Sequence, residues 1–260
     1  MTRNIIGTEP LRKRSKAIPI YGALSFAVLI AIVGFVMMTF TSSPQMKGAA
    51  LLWLPAALQL IAGVWFGPWL GLLAGGLGAY AAGIAAYGGW GLVDIIMNPI
   101  AGGVANSFLP AILFRAFKIN PSFNSTPADI KKAIFIIASL MVIVLVIGLM
   151  PIYVTSIGKW AYVIAIGILL IGTPILLKGL RLNKRDLIAA MVIVVFISLV
   201  SALIGSYGIV VSGNTWQAAF IGTGLGWFLG DTVSAFLGIY ALVYFTTAAE
   251  RIGLVKKYWQ

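Results

Sequence analysis

WLPAALQLIAGVWFGPWLGLLAGGLGAYAAG, residues 53–83, is an apolar run broken at Gly67-Pro68 and threaded by small residues at every fourth position: Gly63, Gly67, Gly71, Gly75, Ala79 and Gly83. Residues four apart share one face of a helix, so each side of the break offers a groove that a neighbouring helix backbone can enter. Helices pack this way in lipid. The apolar run extends over residues 50–87, nearly twice the ~20 residues that cross a bilayer as one helix. It must fold back, and Gly67-Pro68 is the place: proline cannot continue the hydrogen-bond ladder and glycine permits the turn.

Composition points the same way. The chain of 260 residues is 61% hydrophobic and 9% charged, with a mean hydropathy of +1.04, whereas a soluble domain of this size carries roughly a quarter to a third charged residues on its surface. Cysteine and histidine are both absent, which excludes thiol chemistry, disulfides, Cys/His metal sites and an imidazole base. The acids are Glu9, Asp94, Asp129, Asp186, Asp231 and Glu250; paired-carboxylate catalysis would need two of them to meet. No Gly-Lys-Ser/Thr phosphate loop is present, so any use of ATP belongs to partners. An enzyme is not expected, nor a cofactor or metal.

Reading outward from the hairpin gives an all-α, polytopic helical bundle of about eight transmembrane spans. Residues 1–19 form a basic cytoplasmic tail with Arg3, Arg12, Lys13, Arg14 and Lys16. A single transmembrane domain, 20–248, holds spans at about 21–40, 50–66, 69–87, 92–114, 132–152, 160–177, 187–206 and 217–247, and 249–260 form a short cytoplasmic tail. A secretory signal is the alternative for the first span, but no small-residue cleavage site follows it. Thr126, Pro127 and Asp129 read as a helix start, and Asn183 and Asp186 are placed to cap the seventh span. On this map all of the eighteen Lys and Arg except Lys47 and Lys159 fall on the side of the N-terminus. The positive-inside rule then places both termini in the cytoplasm and explains the net charge of +12 without nucleic acid.

Charged groups within spans are costly and so are functional candidates. Asp231 lies near the middle of the last stretch, inside a second small-residue ladder of Gly222, Gly226, Gly230, Ser234 and Gly238. Gly230 before it is a candidate kink, with Asp231 capping the second half of a broken helix. The open readings are a cap or interhelical hydrogen bond, handling of a ligand, ion or proton, or signalling. Asp94 is either a helix N-cap near the outer interface or a pocket residue, with Asn98 one turn deeper and Asn106 two turns beyond. Trp90, Asn214 and Trp227 complete the candidate substrate contacts. Gln59, Trp65 and Trp216 are further polar or amphipathic groups, each tryptophan reading equally as an interface anchor. Ala23, Ala27 and Ala31 form another four-residue ladder, open to ordinary helix packing or to docking of a separate membrane subunit.

With its basic tail, the Ala23–Ala27–Ala31 ladder and the phrase FGPWLGLLAG at residues 66–75, the first half resembles the substrate-binding S component of energy-coupling-factor transporters. That resemblance covers about residues 16–117. It implies capture of a small vitamin-like or nucleobase-like molecule, with the alanine ladder contacting a coupling membrane subunit that works with ATPase subunits. The family has six spans where this chain reads as eight. WFLGDTVSAFLGIYALVYF at residues 227–245 and LWLPAALQL at 52–60 are similar instead to an eight-span membrane sensor domain that precedes kinase or cyclase modules. With Gln260 about 13 residues beyond the last span, no output module is expected in cis. A third reading is an ion-coupled secondary transporter centred on Asp231. The expected setting is the plasma membrane with the lipid bilayer as solvent and no nucleic acid; substrate identity stays open.

Overall fold

The computed structural model describes residues 17–41, 53–88, 96–123, 182–255 and 258, with isolated positions between 135 and 171. Among the described residues the chain is all-helical. Helix α1 spans Ala17–Thr41, α2 Pro55–Phe66 and α3 Pro68–Tyr87. Helix α4, residues 98–116, joins a short turn Asn98–Ile100, a π-helical stretch Ala101–Phe108 and an α-helical end Leu109–Ala116. Helix α5 is Lys184–Val211, and α6 runs over Ala218–Arg251 with its first seven residues in π-helical form. Four of these, α1, α3, α5 and α6, are long and apolar enough to cross a membrane. The expected spans 132–152 and 160–177 lie outside the described residues apart from isolated positions, as does the helix start at Thr126 and Asp129.

The break at Gly67-Pro68 is a helix–helix turn. Gly67 sits at φ 96, a conformation that side chains resist, and ends α2 while Pro68 opens α3 at a position that needs no amide donor. The two helices double back so closely that a Cβ on Gly71 would lie 3.0 Å from the Gly63 nitrogen. At the far end Gly88, at φ 59, closes α3 by donating to the Ile84 carbonyl at 2.9 Å.

Residue pairings fix the directions. Gly78 of α3 meets Ala27 and Ile30, and Ala82 meets Gly34, so α1 and α3 run parallel. Gly76 faces Pro99 and Gly103 faces Leu72, which makes α4 antiparallel to α3. Gly205 against Trp227 and Ser206 against Gly224 make α5 and α6 antiparallel. Gly238 lies on Ala57 and Leu60, and the Trp65 indole donates to Thr246 at 3.0 Å, so α6 is parallel to α2. Alternation thus holds throughout the described helices. The Phe123 carbonyl accepts from the Asn183 amide at 2.9 Å, so the chain leaves α4 and enters α5 at one end of the bundle.

That end also gathers the start of α1, the α2–α3 turn and the end of α6, since Ile18 meets Gly253, Gly22 meets Phe66 and Leu254, and Gly67 meets Arg115. All the described basic residues, Arg115, Lys118, Lys184, Arg185 and Arg251, are on these segments. Asn183 caps α5 there, its Oδ1 accepting from Arg185 N at 3.1 Å and Asp186 N at 3.4 Å, and Asp186 accepts from the Asn120 amide at 3.1 Å. The Asn183 cap matches the sequence pattern, whereas Asp186 lies in the first turn and is bonded to Asn120 instead of to an amide of α5.

The centre of the bundle is α6. In its most apolar window 78% is buried against 22% for α1, because α2 and α5 pack on it from two sides while α1 keeps Leu24, Val28, Ile32 and Phe35 exposed. Two sequence expectations change. The second span, expected from residue 50, is described as a 12-residue helix from Pro55, about 18 Å at 1.5 Å per residue and shorter than the hydrocarbon core. The last stretch is not broken at Gly230: the helix runs through Asp231, and its irregular part is the π-helical start at Ala218–Gly224.

Candidate functional site: a polar cluster between four helices

Four polar side chains from four helices meet inside this apolar bundle. They are Gln59 of α2, Asn106 of α4, Ser201 of α5 and Asp231 of α6, each between 0% and 2% exposed. The Asn106 amide donates to Gln59 Oε1 at 3.1 Å and to Asp231 Oδ2 at 3.1 Å, and lies 3.4 Å from Ser201 Oγ. Ser201 donates to the same Asp231 oxygen at 2.7 Å. Asp231 Oδ1 and Gln59 Nε2 are buried with no hydrogen-bond partner.

Local structure explains how these groups reach one another. The π-helical stretch of α4 closes hydrogen bonds over five residues, as in Leu109 N to Val104 O, and a wide turn of this kind adds a residue and rotates the remainder of the helix about its axis. Ser107 bonds back to the Gly102 carbonyl at 3.0 Å, and glycines at 75, 102 and 103 let α3 and α4 touch backbone to backbone. The result turns Asn106 inward toward α6. On α5 the buried face is a small-residue strip of Ser198, Ser201, Ala202 and Gly205. Buried Gly226 and Gly230 flank Asp231 on α6.

Around Asp231 the dielectric is low, and none of the described residues brings an opposing charge. No Lys or Arg of the described residues faces it from α2, α4 or α5; the basic groups are at the bundle end. Among the described residues its donors are Ser201 and Asn106. Among the described residues no group of three acidic or metal-ligating side chains converges. A Ser, an Asn and a Gln around one carboxyl can bind a proton, a cation or a polar ligand group; they offer no nucleophile–base pair.

The other sequence candidates scatter. Asn98 is buried with its Nδ2 unpartnered, outside the hydrogen-bonded cluster. Trp227 packs its ring against Gly205. Asn214 is exposed in the α5–α6 loop, donating to the Ile209 carbonyl at 3.2 Å. Trp90 and Asp94 lie outside the described residues. Of the Ala23–Ala27–Ala31 ladder, Ala23 is buried with Ala62 and Ala74, the Ala27 carbonyl faces Gly78, and Ala31 is half-buried. Asp231 makes interhelical hydrogen bonds and does not cap a helix. Ser201 escaped the sequence reading, although a serine pair three residues apart in an apolar helix was its signal; Gln59 was legible only as an isolated polar group, and Asn106 only as part of a face shared with Asp94 and Asn98.

A second polar contact lies nearer the basic end. Trp65 donates to Thr246, whose hydroxyl donates to the Pro121 carbonyl at 3.4 Å. Beyond it the Arg115 guanidinium stacks 4.1 Å from the centre of the Tyr258 ring and donates to the Ala111 carbonyl at 2.7 Å. Burial lowers the Arg115 pKa while the Tyr258 phenol opposes that shift. Burial raises the Tyr258 pKa, with Arg115 acting against it.

The chain matches no protein-family model, no curated protein and no solved structure.

Proposed function

We propose that this chain is a multi-span membrane transport protein whose working centre is the Gln59–Asn106–Ser201–Asp231 cluster. One observation carries the reading: Asp231 is fully buried, has a bare oxygen and faces no cationic side chain among the described residues. A charged residue at the centre of a span costs about 2.5–3.5 kcal/mol on insertion, and a group serving only as helix glue would have both oxygens satisfied. By rise along α6, Asp231 is about 20 Å from one end of the helix and about 30 Å from the other, near the mid-depth where transporters place their sites. Two of the four helices that carry the site, α4 and α6, contain π-helical turns, which recur at functional positions.

Taking the basic end as cytoplasmic satisfies the positive-inside rule, and suits a plasma membrane protein with both tails inside. Phe123 and Asn183 are both at that end, which suits a further pair of crossings between them and the total of eight. Within transport, a buried acid with a bare oxygen favours an ion-coupled carrier over a solute-capturing S component, and Ala23 and Ala27 of the ladder that would dock a coupling subunit already pack on α2 and α3. The test is reconstitution in vesicles, with uptake of a vitamin and nucleobase panel measured under imposed ion gradients. Wild-type protein should show gradient-driven uptake that Asp231→Asn abolishes. Equal uptake by the two proteins would refute the assignment of the site, and co-purification of ATPase subunits with gradient-independent uptake would favour the S component.

A further inference from the structure

We infer that the species held at this centre is a proton, carried on Asp231 Oδ1, with the Asn106 amide filling the place a metal ion would need. The inference rests on the transport reading of the same cluster. Three oxygens, Gln59 Oε1, Asp231 Oδ2 and Ser201 Oγ, converge on one point, and Asn106 Nδ2 occupies it at 3.1, 3.1 and 3.4 Å. A hard cation there would need oxygens at about 2–2.6 Å on all sides. It would meet instead the N–H groups of an amide, and a serine whose hydrogen is directed at Oδ2.

The carboxyl group is lopsided in the way a neutral acid is. Oδ2 accepts from both donors, 2.7 Å from Ser201 and 3.1 Å from Asn106, while buried Oδ1 has no donor. A carboxylate shares its charge between both oxygens, so a bare Oδ1 in a low-dielectric interior would leave half of it uncompensated. A carbonyl at Oδ2 and a hydroxyl at Oδ1 remove that charge. No titratable group of the described residues faces Asp231 from α2, α4 or α5. The charged residues of the elements packed there are Arg115 on α4, Lys184, Arg185 and Asp186 on α5, and Glu250 and Arg251 on α6 itself. Along their helices they stand about 13 Å from Asn106, at least about 22 Å from Ser201 and at least about 28 Å from Asp231.

Release breaks the O–H bond at Oδ1: the proton leaves on a water molecule and the carboxylate keeps the electron pair. The buried, unpartnered hydroxyls of Ser198 and Ser206 lie on α5 to either side of Ser201, and Ser206 abuts Gly224 in the π-helical start of α6. Ser206 would carry such water toward the end away from the basic residues, and Ser198 lies on the side of the basic end.

Infrared difference spectra of the purified full chain at neutral pH test this directly. The carbonyl stretch of a protonated carboxyl should be present, indifferent to replacing choline chloride by sodium chloride, lost in Asp231→Asn and shifted in Asp231→Glu, which also covers the case of an unfolded Asn variant. In vesicles loaded with a pH-sensitive dye, wild type should move protons and Asp231→Asn should not. A band that sodium abolishes, or one unchanged in both variants, overturns the proton and leaves transport standing. A band assigned to Asp231 with no flux under any gradient keeps the proton and overturns the transport reading.

Discussion

Gly75 and Gly76 are neighbours on α3 with opposite surroundings, and replacing each by alanine isolates the effect of space. A Cβ on Gly76 would come no nearer than 3.4 Å to the Pro99 carbonyl and 3.8 Å to Gly103 Cα, which is ordinary contact. A Cβ on Gly75 would overlap the Ser107 hydroxyl and lie 2.6 Å from the Gly102 carbonyl. The serine side chain can turn away, but the carbonyl belongs to the π-helical backbone that presents Asn106. Both substitutions gain about 1 kcal/mol of helix propensity, while overpacking costs typically 1–3 kcal/mol. The two variants should therefore differ by about 1–3 kcal/mol, or about 2–12 °C in Tm at 2–4 °C per kcal/mol, with Gly76→Ala at or above wild type. Thermal unfolding of detergent-purified protein, followed by light scattering or circular dichroism, measures this. Equal Tm values for the two variants would refute the backbone contact between α3 and α4.

Asn106→Leu removes one of the two donors to Asp231 and leaves Gln59 without its partner; stability should fall by about 1–3 kcal/mol, visible as a lower Tm, and the loss should shrink in the Asp231→Asn background. Thr246→Val leaves the buried Trp65 indole N–H without its acceptor and should lower stability by about 1–3 kcal/mol, whereas Thr246→Ser, which keeps the hydroxyl, should cost less than half as much. Tyr258→Phe keeps the ring beneath Arg115 and should change the Tm little; Tyr258→Ala removes a cation–π contact worth about 0.5–2 kcal/mol and should speed proteolysis of the C-terminal segment.

The π-helical stretches connect packing to chemistry. A regular α-helix through residues 98–116 would rotate Asn106 away from its present partners, because each π turn shifts the residues after it around the axis. Backbone contact with α3 at Gly75 and Gly76 holds that arrangement, so a substitution on α3, which bears none of the four polar groups, should still be felt at Asp231.

By itself the sequence determined the class of fold and its punctuation. Apolar length, sparse charge and Gly67-Pro68 specify lipid-embedded helices with a turn between α2 and α3, and Asn183 with Asp186 specify the start of α5; these features arise from local chemistry, which neighbouring residues settle among themselves. Asp231 was legible for the same reason, since a lone acid in an apolar run is costly wherever the helix goes. Which groups surround that acid depended on tertiary structure. Gln59, Asn106, Ser201 and Asp231 are 30 to 125 residues from their hydrogen-bond partners, and their meeting depends on helix rotation, on two π-helical stretches and on close backbone approach at glycines. The alanine ladder shows the same limit: a small-residue face reads identically whether another subunit or the chain's own helices fill it, and only the packed structure places Ala23 against Ala62 and Ala74.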